Sequence, residues 1–180
     1  MRDERLAVAV AYASVEQSRI HMQKIIPRGT GYSDSVATTG QMIACSVNLL
    51  YAIELLLKAT LSAFKKASGS EHDLWKLYTK LPRDVQNAVE VAYDEREGTG
   101  SNQSFGVAIR TVSDPENGFT PPASAKGMRE VLKSSRSKYS QFRYAFEYEG
   151  ESSQALHLHL QFGDLLRAAD CMIQIGRAHV

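Results

Sequence analysis

Residues 41–67, QMIACSVNLLYAIELLLKATLSAFKKA, constrain this chain more than any other stretch. Between positions 42 and 61 most side chains are apolar, the signature of a helix buried on most sides. The strongly polar interruptions are Asn48, Glu54 and Lys58. A helix of about 25 residues, rising about 1.5 Å per residue, runs the length of a small domain. The rest of the chain therefore reads as helices packed around this rod. Such apolarity also raises the question of a bilayer. Glu54 and Lys58 sit in the middle of the stretch, where charges are costly in hydrocarbon, and no uninterrupted apolar run approaches about 18 residues. The reading is a core helix and no membrane.

The 180 residues suit one domain with a core large enough to fold without staples. Residues 1–174 are assigned to that single domain. Residues 175–180, IGRAHV, resemble the translation of a sequencing-adapter read-through. They are set aside as a suspected non-native tail, His179 with them. Lys and Arg number 21 against 20 Asp and Glu, a formal net charge of +1. That is not the broad basic footprint of non-specific nucleic-acid binding, although it allows a local basic groove. Cys45 and Cys171 fall within apolar helical patterns and read as buried free thiols, which suits a reducing cytoplasm. The opening Arg2-Asp3-Glu4-Arg5 lacks the apolar core of a leader, so the expected location is cytoplasmic.

In chain order, residues 3–25 read as a helix with Leu6, Val8, Ala9, Val10, Ala13, Val15 and Ile20 as its apolar stripe. Pro27, Gly29 and Gly31 break it. The long helix is placed at 35–67, ended by Ser68-Gly69-Ser70. Ser70 is read as the N-cap of the next helix, with Asp73 three residues on, close to a capping box. That helix is short because Pro82 disfavours helical geometry at Leu81. Pro82 then suits the first turn of another helix, with Val85, Ala88, Val89 and Ala92 on its apolar side. Residues 98–122 read as a long loop in which 105–112 offer a short strand. Two further helical stripes follow, Met128, Val131 and Leu132, then Tyr139, Phe142, Arg143, Phe146 and Glu147. The last helix is placed at about 153–176, although LHLHL at 156–160 alternates with period two and fits a strand as well. The fold expected is all-α, an up-down bundle of four to five main helices with a long central helix and a long loop near 98–122.

Chemistry is sparse. His157 and His159 lack a carboxylate or cysteine at ligand spacing and read as solvent-facing, so no metal is expected. No phosphate loop, dinucleotide fingerprint or serine-hydrolase elbow occurs, and no cofactor is expected. Glu54 and Lys58 are one turn apart in the favourable order. With Tyr51, Ser62 and Lys65 pointing similarly, they read as a polar stripe facing solvent. Arg143 and Glu147 repeat that spacing among Phe142, Tyr144, Phe146 and Tyr148. An arginine in an aromatic patch is first read as a packed or interface residue. It also has the chemistry to hold a phosphate beside a stacked base.

The combination NLLYAIELLLKATL, SEHDLWKLYTKLP and KYSQFRYAFEYE resembles the HEPN superfamily (higher eukaryote and prokaryote nucleotide-binding domains). The matching features are the central helix with its Glu and Lys, a His-Asp-Leu opening the next helix, and a late Arg-Tyr-x-x-Glu helix. The pattern covers most of residues 35–165. The resemblance implies a four- or five-helix up-down bundle, often a homodimer, in bacterial or archaeal cytoplasm. Many members are toxins or defence proteins acting as metal-independent ribonucleases, read with an operon-encoded protein partner. Their signature is an Arg and a His with four to six residues between them. This chain departs from it: after Arg143 the corresponding positions are Tyr148, Glu149 and Gly150, and no other arginine has a histidine at that spacing.

The first expectation is thus a HEPN-like protein without the usual ribonuclease pair, binding a nucleotide or RNA. Lys58, His72, Arg143 and Tyr144 would line its pocket, with Glu54, Asp73 and Glu147 orienting the cations. Lys58 and Arg143 would meet phosphate and Tyr144 would stack or hydrogen-bond. The second is an atypical metal-independent ribonuclease in which His72 does acid/base work beside Arg143. The third is a structural or interaction dimer whose charges form a buried network fixing helix register.

Overall fold

The computed structural model describes residues 4–25, 36–96, 105–109, 127–136, 138–143 and 156–179. For Val36, residues 105–109, Ser140, Arg143, residues 156–159 and His179 the backbone alone is described. Among the described residues the order is α1 (Glu4–Ile25), α2 (Val36–Ala63), α3 (Leu74–Thr79), α4 (Arg83–Glu95), β1 (Phe105–Ile109), α5 (Met128–Ser134), α6 (Lys138–Arg143), β2 (Leu156–Leu160) and α7 (Phe162–His179). The protein is an all-α bundle whose main helices are α1, α2, α4 and α7, with one short β ribbon beside it.

α2 is the central rod, and its apolar residues go into the core on nearly every side: Leu49, Leu50, Ile53, Leu56, Leu57 and Leu61 are fully buried. By length and composition α2 is apolar enough to cross a membrane, and here it is wrapped mostly by protein. α1 lies antiparallel along it. Ser62 near the end of α2 donates to Glu4 at the start of α1 (2.7 Å), while Ser18 Oγ donates to the Cys45 carbonyl further along (3.2 Å). α7 also runs antiparallel to α1, since Arg19 pairs with Asp170 (2.7 Å) and Gly176 lies over Val8. Cys45 and Cys171 are buried free thiols, as their apolar settings predicted, and burial pushes both above the ordinary thiol range.

Helix ends depart from the sequence reading for local reasons. α2 stops at Ala63, before the Ser68-Gly69-Ser70 breaker. Lys65 takes a left-handed conformation (φ 54°), Lys66 N–H donates to the Leu61 carbonyl, and Lys65 N–H donates to that of Ser62. This is a Schellman stop, with lysine where glycine is usual. The α3 cap is Asp73 and not Ser70: its carboxylate accepts from Lys76 N–H (3.1 Å). Pro82 stands just before α4, as the N-cap. α4 buries Val85, Gln86, Val89 and Tyr93, while Ala88 is exposed.

The region 98–122 contains β1, whose flanks lie outside the described residues. The last helix begins at Phe162 and not near 153, because 156–160 is the strand β2. β1 and β2 pair antiparallel, with Phe105 opposite Leu160, Val107 opposite Leu158 and Ile109 opposite Leu156. The period-two alternation of LHLHL is thus the signal that prevails. α1 corrects the reading of one stripe: Val8, Ala11, Val15, Ser18 and Met22 are buried, while Leu6, Val10 and Ile20 are exposed on the other side.

α4 and α7 are clamped by a polar cluster. Arg167 Nη2 donates to the Tyr93 hydroxyl (2.6 Å) and to Asp164 Oδ1 (3.0 Å), its guanidinium 3.9 Å from the centre of the Tyr93 ring. Arg96 adds a contact to Gln174 (3.1 Å). Burial pushes the Tyr93 phenol up to about 12, Asp164 adding to that and Arg167 opposing it.

Candidate functional site

The sequence-predicted residues that lie in described structure meet where the second half of α2 faces the start of α3. Glu54 is not on a solvent-facing stripe: its side chain is 5% exposed. One oxygen, Oε1, accepts from Lys58 Nζ at 2.7 Å and from His72 Nδ1 at 2.9 Å. The other, Oε2, is buried without a hydrogen-bond partner. A buried carboxylate is costly unless paired, so Glu54 holds two cationic or donor groups against the rod. Lys58 is half-buried and turned to this carboxylate.

His72 arrives there because the chain is tied down on both sides. After Lys65 it turns at Gly69 (φ 59°) and reaches the extended Asp73 that caps α3. Glu71 Oε1 accepts from the backbone N–H of Asp73 (3.0 Å) and of His72 (3.2 Å). The Asp73 N–H holds the Glu71 carboxyl below the usual range, partly offset by burial and helped by Lys76 at 3.5 Å. The imidazole is left 62% exposed. Because an ionised carboxylate only accepts, its contact assigns the proton of the neutral ring to Nδ1 and leaves Nε2 as the acceptor. A carboxylate–imidazole pair of this kind, fixed at one nitrogen and open at the other, is the arrangement that acid/base chemistry on a bound group requires.

Asp73 binds twice. Oδ1 caps α3, and Oδ2 pairs with Arg136 Nε at 3.1 Å, just past the end of α5. Arg136 is half-exposed and its remaining guanidinium nitrogens are donors. Arg136 is not among the residues that the sequence pattern marks. The signal present is the basic run Lys133, Arg136 and Lys138 between two helical stripes, but the partner Asp73 lies 63 residues upstream in the numbering. Lys76 is exposed beside the same cluster.

Arg143 ends α6, and its side chain is outside the described residues, as are Tyr144 and Glu147. Their expected convergence on His72 falls outside what the structure describes. What α6 does bring to α2 is Tyr139, stacked on the exposed Tyr51 with ring centres 6.3 Å apart. Tyr51 and Lys58 stand one turn to either side of Glu54. Among the described residues, no three His, Cys, Asp or Glu side chains group to hold a metal ion. A cavity of about 430 Å³ opens elsewhere, between α1 and α7, and is walled partly by Gly176 and Arg177 of the set-aside tail.

No family model, curated protein or solved structure matches the chain.

Proposed function

We propose that this is a HEPN-like domain of prokaryotic type that binds RNA or a nucleotide on the face where α2, the start of α3 and the end of α5 meet. The observation that carries the reading is the His72 imidazole, held to buried Glu54 through Nδ1 while its side chain is 62% exposed. Arg136 and Lys76 add exposed cations next to it. Tyr51, on the same face of α2, offers an exposed ring for a base. Two or three such cations fit a short stretch of backbone phosphate better than a long duplex, in keeping with the net charge of +1.

The test is fluorescence anisotropy with short single-stranded RNA at two salt concentrations. Wild type should bind with a logarithmic salt slope of about −1.5 to −2, two or three phosphates at about 0.7 each. His72→Ala and Arg136→Ala should each weaken binding about tenfold, with helicity unchanged. No affinity for any RNA or nucleotide in the wild type refutes the reading and leaves a structural module, whose charges serve packing alone.

A second reading, a metal-independent ribonuclease of a toxin or defence system, draws on the same Glu54–His72 bond, since an oriented imidazole is what abstraction of a ribose 2′-OH proton needs. Cleavage in EDTA that is lost in His72→Ala supports it. Binding without cleavage rejects it.

A further inference from the structure

Among the described residues, every half-buried Lys or Arg but one has a carboxylate at hand. Arg19 and Arg96 pair with Asp170, Lys58 with Glu54, Arg129 with Glu90 and Arg167 with Asp164, all at 3.8 Å or less. The exception is Lys138 in α6, half-buried and without a carboxylate partner among the described residues. Burial pushes its ammonium below the ordinary lysine range, and no carboxylate pulls it back up. A charge drawn partly out of water without a counter-ion is costly, and the aliphatic stem alone would pack as well. An anion brought from outside supplies what the chain withholds.

Lys138 stands beside the site already described. Two residues before it, Arg136 Nε pairs with Asp73 (3.1 Å), which caps α3 next to His72. The residue after it, Tyr139, stacks on Tyr51 of α2, which is itself 41% exposed. The turn between α5 and α6 is fixed here, since Lys138 N–H donates to the carbonyl of buried Ser135 (3.1 Å). The chain thus places an unpartnered cation between a guanidinium with further donors and a ring open to stacking. We propose that Lys138 seats the terminal phosphate of a nucleotide whose base lies on Tyr51, an inference that rests on the RNA or nucleotide reading above.

The charge selects a phosphomonoester. One unpaired ammonium is a point, not the row of cations that tracks a phosphodiester backbone. A monoester carries a charge of about −1.5 to −2 at neutral pH and three acceptor oxygens, enough to engage Lys138 and the outer nitrogens of Arg136 together. A free nucleoside monophosphate and the 5′-phosphorylated end of an RNA both carry this chemistry, and the experiment separates them.

The test compares wild type with Lys138→Met in two titrations. One is calorimetric, with adenosine 5′-monophosphate and adenosine up to about 10 mM, the range a small polar ligand needs. The other is anisotropy with one short RNA bearing a 5′-phosphate or a 5′-hydroxyl. Wild type should bind the monophosphate about tenfold or more tighter than adenosine, the effect of one charge-assisted bond to phosphate, and Lys138→Met should lose most of that difference. If RNA ends are the source, the 5′-phosphate tightens wild type and not the variant. If the free nucleotide is, the two RNAs bind alike and only the monophosphate discriminates. Without ligand, Lys138→Met should keep or raise Tm, because no ion pair is lost. A fall of more than about 4 °C shows a carboxylate partner and overturns the proposal. So does a variant that binds both phosphorylated ligands as wild type does, or a wild type indifferent to the phosphate in both, and either result leaves the His72 site standing. A wild type that binds no nucleotide and no RNA overturns both readings.

Discussion

Replacing Glu54 by glutamine tests whether the charge at the centre of α2 is a buried, paired group. The carboxylate is 5% exposed and one of its oxygens holds both Lys58 and His72. Glutamine keeps the volume and one acceptor but removes the charge. Hydrogen bonds to a charged group contribute about 1.5–3 kcal/mol each and neutral ones about 0.5–1.5. Losing that increment twice, with the exposed His72 bond at the low end, costs about 1–2 kcal/mol. An amide N–H₂ placed where Oε2 now has no partner adds about 1 kcal/mol more. The sum is about 2–3 kcal/mol, read by guanidinium denaturation, with a fall in Tm of about 4–12 °C for a chain of this size. Lys58→Met alone should also destabilise, because it leaves the carboxylate short of its cation. The double variant Glu54→Leu/Lys58→Met should recover most of the loss, since an apolar pair in place of a buried ion pair is close to neutral. A Glu54→Gln protein within about 0.5 kcal/mol of wild type would refute the reasoning, and so would a double variant worse than either single one.

Glu90 receives Tyr78 Oη and Arg129 Nε, both at 2.6 Å, and although burial pushes its carboxyl up, these bonds win and hold it below the ordinary 4.5. A depressed folded-state value stabilises above the unfolded value and is lost on acidification. The gap between wild type and Glu90→Gln should therefore be about 1 kcal/mol at pH 6–8 and close below about pH 4.5, while a gap that persists to pH 3 would contradict this. Tyr93 is raised, so the sign reverses: its contribution holds below the ordinary value of 10 and is lost as pH rises toward about 12. Wild type should lose about 2–3 kcal/mol across that window relative to Tyr93→Phe in urea titrations, and parallel slopes would refute it. Lys65→Gly relieves the left-handed lysine that stops α2 and should raise Tm by about 2–4 °C; no change or a decrease would contradict the strain.

Much of the bundle was legible because its signals are local. The high apolarity of α2, Pro82 at the head of α4 and the apolar settings of Cys45 and Cys171 each depend on near neighbours. What escaped depends on contacts between distant segments. The i,i+4 spacing of Glu54 and Lys58 is the same for an exposed pair and a buried one. The return of the chain at His72, 18 residues on, brings Glu54 its second partner. The same holds for Arg136 and Asp73. On α1, two stripes at heptad spacing blur into one apolar run, and only packing shows which side is inward. At residues 156–160, helix and strand patterns overlapped, and pairing with β1 decided between them.

The most direct test of the central claim is the ¹⁵N–¹H spectrum of the histidine side chains, recorded with and without a short single-stranded RNA. His72 should be protonated at Nδ1 in its neutral form, through its bond to Glu54, and RNA should shift its Nε2 signal while His21 stays still. A His72 signal indifferent to saturating RNA, or one showing the opposite tautomer, would contradict it.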